Sequence, residues 1–107
     1  PGLMLAIHEV APEMDIHVST QANTLNYKAV QFWEKNGATR AILGREASLD
    51  DIRAIRKHCP NIEIECFVHG AMCMAYSGRC FLSRYFTGAS ANLGACAQPC
   101  RREYSYE

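Results

Sequence analysis

The sequence predicts an α/β fold with parallel strands over its first seventy residues. Three short apolar runs, centred near residues 18, 42 and 64, lie just over twenty residues apart, and segments with helical spacing separate them. This periodicity disappears beyond Gly70, where loop-forming residues dominate. We therefore predict two parts: (β/α) units over residues 1–70 and a cysteine-rich segment of loops and short helices over residues 71–107.

The first predicted elements are a short helix over residues 2–11, ended by Pro12, and a strand over residues 16–20. The strand alternates apolar and polar side chains, the period of two expected of an extended segment. Gln21 and Asn23 follow directly after its carboxyl end.

The second strand is preceded by a helix and a clear stop signal. From Tyr27 to Trp33 apolar side chains recur at helical spacing, and Asn36-Gly37 supplies the left-handed conformation that ends many helices. Residues 39–43 (Thr-Arg-Ala-Ile-Leu), with three apolar side chains at their end, then form the second predicted strand.

The next helix begins with a capping box, in which Ser48 is followed three residues later by Asp51. Residues 58–60 (His-Cys-Pro) end this helix. The third strand is predicted over residues 62–68 and stops at His69-Gly70.

Strands that alternate with helices at this spacing are expected to be parallel, joined by right-handed crossovers. A doubly wound sheet and a (β/α)₈ barrel both satisfy this rule. A complete barrel needs about 200 residues or more, and the chain has 107 and begins at Pro1 rather than Met, so we expect a fragment of a longer chain. No G-x-G-x-x-G loop follows any strand, which weighs against a dinucleotide-binding sheet.

The charges divide unequally between the two parts although the net charge is zero. Residues 1–69 hold seven basic and nine acidic side chains, whereas residues 71–107 hold four arginines and two glutamates. This balance excludes a strongly basic nucleic-acid arm and an acidic disordered tail. The sequence also lacks a membrane-spanning run and a signal peptide, so we predict a cytoplasmic protein with reduced thiols and no membrane partner.

The six cysteines fall into two groups. Cys59 and Cys66 lie in the helix and strand pattern and are best explained as small core residues. The other four have the spacing C-x6-C-x15-C-x3-C in a segment with little hydrophobic content, which indicates metal ligation or disulfides. Their spacing alone leaves an iron–sulfur cluster and structural zinc about equally favoured. These four residues are Cys73, Cys80, Cys96 and Cys100.

The segment around the first two of these cysteines resembles the signature of peptidase family U32. Residues 65–83 agree with E-x-F-x-x-G-[SA]-x-C-x4-G-x-C-x-[LIVM]-S at every specified position. The similarity continues through residues 92–101 and upstream through residues 19–23, so it covers most of the chain. One departure is the Ala-Ser-Ala stretch at residues 89–91, where the family often has an arginine, and a substrate contact is in doubt there.

The resemblance is closest to the branch of the family involved in prephenate-dependent hydroxylation of the tRNA wobble uridine. It implies a TIM-like barrel, tRNA as substrate and prephenate as the hydroxyl-source co-substrate. It also implies a [4Fe-4S] cluster on Cys73, Cys80 and Cys96, with Cys100 or a residue outside this segment as the fourth ligand, and zinc as the alternative metal. The remainder of the chain or a second U32 subunit is the expected protein partner.

Barrel enzymes place their sites at the carboxyl ends of the strands. There we predict Arg45, Glu46 and His69 as catalytic residues and Gln21 and Asn23 as substrate-binding residues. The alternatives are a solvated Arg45–Glu46 ion pair, capping of the next helix by Gln21 and Asn23, and a purely structural His69.

Glu65, within the third strand, is the fourth predicted catalytic residue. If its carboxylate is buried, it needs a partner such as Arg45 or a raised pKa.

Arg79 and Arg101 are predicted to bind substrate in the cysteine-rich segment. With two more arginines they alternate with aromatic residues, a composition suited to stacking bases and neutralising phosphates. Ordinary surface arginines above partly buried rings are the alternative. The remaining members of this set are Arg84, Arg102, Tyr76, Phe81, Tyr85 and Phe86.

Two other functions are compatible with the sequence. A protease is implied by the family's collagenase-like members, although there is no G-x-S-x-G elbow and the His8-Glu9 pair lacks the second histidine of a zinc protease. A Cys73–His69 nucleophile pair is the form such a protease would take here. A non-catalytic zinc-binding module is the other alternative.

Overall fold

A computed structural model describes residues 1–77 and 79–106 and divides the chain into two compact units, Pro1–Gly70 and Ala71–Glu107. The first unit alternates helices and strands along the chain. In order, its elements are α1 Gly2–Val10, β1 His17–Val18, α2 Tyr27–Lys35, β2 Arg40–Ile42, α3 Leu49–His58 and β3 Glu63–Glu65.

The three strands form one parallel sheet in the order β1-β2-β3, which confirms the predicted α/β class. Ala41 lies at its centre, paired with Val18 on one side and Ile64 on the other. The third strand is shorter than predicted. It ends at Glu65, whose carbonyl oxygen accepts the backbone N–H of Leu43 at 2.9 Å.

The sheet buries one face and leaves the other uncovered. Val18, Ala41 and Leu43 are buried in one hydrophobic cluster with Val30 of α2 and Ile55 of α3. The opposite face is polar because residues alternate between the two faces of a strand. It carries His17, Arg40, Glu63 and Glu65, all exposed or half-exposed.

The helix ends follow local sequence signals. Asn26 begins α2, and its side-chain oxygen accepts the backbone N–H of Ala29 at 3.0 Å. Gly37 follows that helix with a φ of 91°, a left-handed conformation that favours glycine. A Cβ atom at Gly37 would also lie 3.0 Å from the His8 ring, so the close approach of α1 requires this glycine.

The capping box predicted for α3 is confirmed. The Ser48 hydroxyl oxygen accepts the backbone N–H of Asp51 at 3.2 Å, and the Asp51 carboxylate accepts the Ser48 N–H at 2.9 Å. The Ser48 hydroxyl also donates to the Asp51 carboxylate at 2.6 Å. This hydrogen bond first and the Ser48 N–H second lower the pKa of Asp51, because both favour the ionised carboxylate.

The second unit consists of loops with a few short helical segments. It contains α4 Leu82–Thr87 and two 3₁₀ turns, Ala91–Leu93 and Pro99–Arg101. The buried Ser83 joins α4 to the chain near the last turn, because its hydroxyl oxygen accepts the N–H of Ala97 at 2.9 Å. In the part of the chain described here, no helix has the length and apolar character needed to cross a membrane.

Loss of the capping box should destabilise the first unit. We expect Ser48→Ala to lower the free energy of unfolding by about 1 kcal/mol, because an N-cap acceptor is removed from α3. Denaturant titration of the protein measures this change. Asp50→Asn is the matched control: its exposed pair with Arg53 at 2.7 Å is expected to contribute less. An equal loss in both variants would contradict the special role of the box.

The same box should make stability depend on pH in a defined direction. Since the folded pKa of Asp51 is lowered, its contribution is present above the unfolded value of about 4 and is lost as pH falls through the folded value. Asp51→Asn should therefore destabilise the protein at pH 7 and match the wild type at more acidic pH. Unfolding curves across that range test the sign.

Candidate functional site

The loop after β1 is fastened to the end of β2 by two hydrogen bonds. The Thr20 hydroxyl donates to the carbonyl oxygen of Leu43 at 3.1 Å, and the Gly44 N–H donates to the carbonyl oxygen of Thr24 at 3.0 Å. These contacts bring residues 20–24 to the carboxyl edge of the sheet, where Arg45 and Glu46 follow β2.

Thr24 anchors this loop to α2. Its side chain is fully buried, and its hydroxyl oxygen accepts the indole N–H of Trp33 at 2.9 Å. The indole of Trp33 is partly buried, so its donor has little access to water and this hydrogen bond holds both the loop and the ring. Sequence reasoning missed Thr24 because a threonine next to loop residues carries no distinctive signal.

Asn23 has the most unusual environment of the predicted substrate-binding residues. Its φ of 55° places it in the left-handed region, and its N–H closes a 3₁₀ turn onto the carbonyl oxygen of Thr20 at 3.0 Å. Its side-chain Oδ1 is buried without a hydrogen-bond partner. A left-handed non-glycine residue with an unpartnered acceptor is typical of functional sites. Gln21 is exposed, and the alternative that these residues cap the next helix is wrong, because Asn26 caps it.

Arg45 and Glu46 lie together after β2. One guanidinium nitrogen of Arg45 is 3.7 Å from Glu46 Oε1, and only 16% and 31% of the two side-chain surfaces are exposed. The pair is therefore more shielded from water than the solvated pair considered from the sequence. This arrangement places a cation and a carboxylate at the carboxyl edge of the sheet.

Glu65 is exposed, so the condition considered for a buried carboxylate does not apply. Its Oε2 lies 3.4 Å from the guanidinium group of Arg40 on the neighbouring strand, so its partner is Arg40 and not Arg45. Arg40 also donates to Glu63 at 2.7 Å, and this hydrogen bond is the main cause that raises the pKa of Arg40. The three side chains line a shallow groove with Arg56 and Ile64.

His69 is exposed beyond the end of β3. The strand has already ended at Glu65, so His69 belongs to the loop that follows instead of the strand terminus predicted from the alternating pattern. Its catalytic role stays a prediction.

The two cysteines predicted to pack in the core differ in how deeply they are buried. Cys59 is fully buried and Cys66 half-buried, both next to the hydrophobic cluster of the first unit. Burial raises the pKa of both thiols, most strongly through loss of contact with water, so both remain protonated near neutral pH. Their role as core residues is confirmed for Cys59 and partly for Cys66.

The four predicted ligands lie on loops of the second unit. Cys73, Cys96 and Cys100 are exposed and Cys80 is half-buried. Cys96 Sγ lies 3.4 Å from the backbone nitrogen of Gln98, which donates to it. Within residues 1–77 and 79–106, no three or more His, Cys, Asp or Glu side chains are grouped to hold a metal ion. Thiolates are ligands of both iron–sulfur clusters and structural zinc, and none of these four thiols belongs to the hydrophobic core, so their chemistry suits either group.

The arginines and rings of the second unit are mostly exposed. Arg79 and Arg101 both face solvent, and Arg101 donates to the carbonyl oxygen of Met72 at 3.1 Å. Ring contacts connect Tyr85 to Phe86 and Phe86 to Tyr104. Sequence reasoning missed Tyr104, although an aromatic residue shortly after the last cysteine and two arginines was a usable signal.

Comparison with known proteins identifies the family of the chain. The model of Peptidase family U32 matches residues 1–107, and the chain belongs to this family. It is 52% identical over its whole length to tRNA hydroxylation protein P of Haemophilus influenzae, of which it covers 23%. No solved structure matches the chain at a significant level.

Two further relatives carry different names. The chain is 44% identical over 88% of its length to the 23S rRNA 5-hydroxycytidine C2501 synthase of Escherichia coli, covering 14% of that protein. It is 39% identical over 95% of its length to the collagenase of Porphyromonas gingivalis, covering 26% of it. The chain thus spans about a quarter or less of the length of these relatives.

Replacement of Thr24 should loosen the predicted binding loop. We expect Thr24→Val to cost about 1–3 kcal/mol of stability, because the partly buried indole donor of Trp33 loses its acceptor. Denaturant unfolding measures the cost, and the fluorescence of Trp33, the single tryptophan of the chain, reports the local change. Thr39→Val is the control, since the Thr39 hydroxyl makes an exposed, longer hydrogen bond of 3.3 Å. Equal costs would contradict the anchoring role.

Proposed function

We propose that the complete protein is an enzyme that hydroxylates RNA, at C5 of the tRNA wobble uridine, with prephenate as the hydroxyl source. The observation that carries this proposal is the 52% identity, over the whole chain, to a protein named for tRNA hydroxylation. A relative named as a 5-hydroxycytidine synthase of rRNA supports the same chemistry on a second pyrimidine.

The sheet supports a barrel as the scaffold of this enzyme. Its strands follow in sequence order, β1-β2-β3, and its hydrophobic cluster contains Val30 of α2 and Ile55 of α3 on one side only. A (β/α) barrel has this arrangement, with helices outside and strand carboxyl ends around the site. We propose that the polar face carrying Arg40 and Glu65 lines the barrel interior.

The chemistry defines what the residues at the carboxyl edge must do. Replacing the C5 hydrogen of uracil by a hydroxyl group is a two-electron oxidation of the base, so the co-substrate must supply oxygen and accept two electrons. The C5 proton must also be removed, and Glu46 and His69 are the proposed bases. A guanidinium nitrogen of Arg45, 3.7 Å from Glu46 Oε1, orients the Glu46 carboxylate. Glu65 is proposed as a second catalytic carboxylate.

Substrate binding is assigned to polar groups of both units. We propose that the unpartnered Oδ1 of Asn23, with Gln21 beside it, accepts a hydrogen bond from the nucleobase. Arg79 and Arg101 are the proposed phosphate contacts, because arginine guanidinium groups match phosphate geometry. The remainder of the chain or a second U32 subunit completes the site, and the enzyme acts on tRNA in the cytoplasm.

Four thiols are proposed as the ligands of a [4Fe-4S] cluster: Cys73, Cys80, Cys96 and Cys100. When bound, such a cluster supplies electron transfer or an open iron site to the reaction. Zinc is the alternative occupant, because it also binds four thiolates.

A collagenase-like protease is the second candidate function. The observation that favours it is the 39% identity to a protein named collagenase over nearly the whole chain. Its proposed nucleophile is Cys73 with His69 as the base.

Deletion of the gene tests the proposed function directly. We expect tRNA from such cells to lose 5-hydroxyuridine derivatives, and the wild-type gene to restore them, as measured by mass spectrometry of nucleosides. Complementation with His69→Ala should fail, while Lys57→Ala, on an exposed part of α3, should restore the modification. Unchanged 5-hydroxyuridine in the deletion strain, together with gelatin cleavage that is lost in Cys73→Ala, would favour the protease instead.

The cluster is tested by metal analysis of the complete protein purified without oxygen. We expect a brown protein that contains iron and acid-labile sulfide in equal amounts. Serine substitutions at the four proposed ligands should each lower the iron content, whereas Cys66→Ala, at a packing cysteine, should retain it. Zinc without sulfide, or iron bound equally by all variants, would contradict the assignment.

A further inference from the structure

We propose that Tyr85, Phe86 and Tyr104 form an aromatic platform on which unpaired RNA bases stack. The inference rests on the proposed function, since it takes RNA as the substrate, and it identifies which part of the RNA the second unit holds. No base-recognition role for Tyr104 was expected from the sequence.

The three rings come from two segments of the second unit and meet on its surface. The centroids of Tyr85 and Phe86 lie 5.1 Å apart with the rings near perpendicular, and those of Phe86 and Tyr104 lie 6.4 Å apart. Their exposed fractions are 83%, 50% and 62%, respectively. Ring surface this open is too accessible for a core and is available to a partner.

The platform is held in place before any ligand arrives. The Tyr104 hydroxyl donates to the carbonyl oxygen of Pro99 at 2.9 Å, and Pro99 itself is buried. The backbone of Tyr85 and Phe86 is held in α4, which packs against the turn Pro99–Arg101, and the Phe86 ring contacts both tyrosine rings. Side chains fixed in advance lose little conformational entropy on binding, which favours affinity.

The charge around the rings favours a polyanion. Residues 71–107 contain four arginines and two glutamates. Arg84 precedes Tyr85 directly, and Arg101 and Arg102 lie just before Tyr104. Exposed aromatic rings beside guanidinium groups are the combination by which proteins bind single-stranded nucleic acid, the rings stacking bases and the cations tracking phosphates.

Stacking requires bases whose faces are open. In a duplex each base is covered by its neighbours, so the platform selects unpaired nucleotides, as in a loop. A loop is also where a pyrimidine ring can be reached for modification at C5. We therefore assign the platform to unpaired bases that flank the modified nucleotide.

Binding of a labelled RNA hairpin with an unpaired loop to the complete protein tests the platform by fluorescence anisotropy. We expect Tyr85→Ala and Tyr104→Ala each to weaken binding by about 5- to 100-fold, the range for loss of one stacked base. Tyr85→Phe should bind as the wild type does, because the ring is kept. Leu93→Ala removes another exposed apolar side chain, outside the three rings, and should have no effect.

The salt dependence separates stacking from charge. Tyr85→Ala should lower affinity without changing the slope of log K against log salt, whereas Arg102→Gln should reduce that slope by about 0.7, the value for one phosphate contact on a single strand. A fully paired RNA of equal length should bind the wild type and Tyr85→Ala equally.

The outcomes distinguish the two proposals. If the wild type hydroxylates RNA and the alanine variants bind the hairpin equally well, the platform is overturned and the proposed function stands. If the wild type neither binds nor modifies RNA, the proposed function fails. Lower thermal stability of Tyr85→Ala in the complete protein would also overturn the platform, since it would show that protein covers this ring.

Discussion

Three hydrogen bonds at Leu43 and Gly44 hold the carboxyl edge of the sheet together. Leu43 donates to Glu65 on β3 and accepts from Thr20 after β1, while Gly44 donates to Thr24. The Leu43 side chain lies in the buried cluster, so the same residue joins the three strand ends to the core. Every residue proposed for chemistry in the first unit lies at the end of one of the strands connected here or in the loop after it. The geometry of that edge therefore depends on packing beneath it more than on the loops themselves.

Local signals in the sequence predicted the elements of the first unit well. The capping box of α3 and the left-handed stop at Gly37 need only residues a few positions apart, and both are confirmed. Strand length was less predictable, because a strand continues only while its neighbour offers pairing groups. The apolar pattern extends to Val68, but pairing of β3 ends where β2 gives way to the loop at Gly44.

The membership of the site stays a prediction, and the contacts of its residues were harder to predict from the sequence. Glu65 meets Arg40 because the register sets Ile42 opposite Glu65, and Arg40 lies two residues before Ile42 on the same face. That register is a tertiary property that no local pattern encodes. Tyr104 meets Phe86 across a loop by the same kind of long-range packing. The cysteine spacing, in contrast, was visible at once, although the described side chains are not gathered around a metal.

The two glutamates of β3 also affect pairing between two copies of the chain. In the described sheet β3 is an edge strand, and such a strand can pair with the same strand of another copy. Its sequence Glu-Ile-Glu would then set carboxylates of one copy opposite those of the other, which is destabilising. Where that edge is open, these like charges disfavour pairing between two copies. Arg40 reduces the repulsion without removing it, because it lies between Glu63 and Glu65 and all three side chains are at least partly exposed.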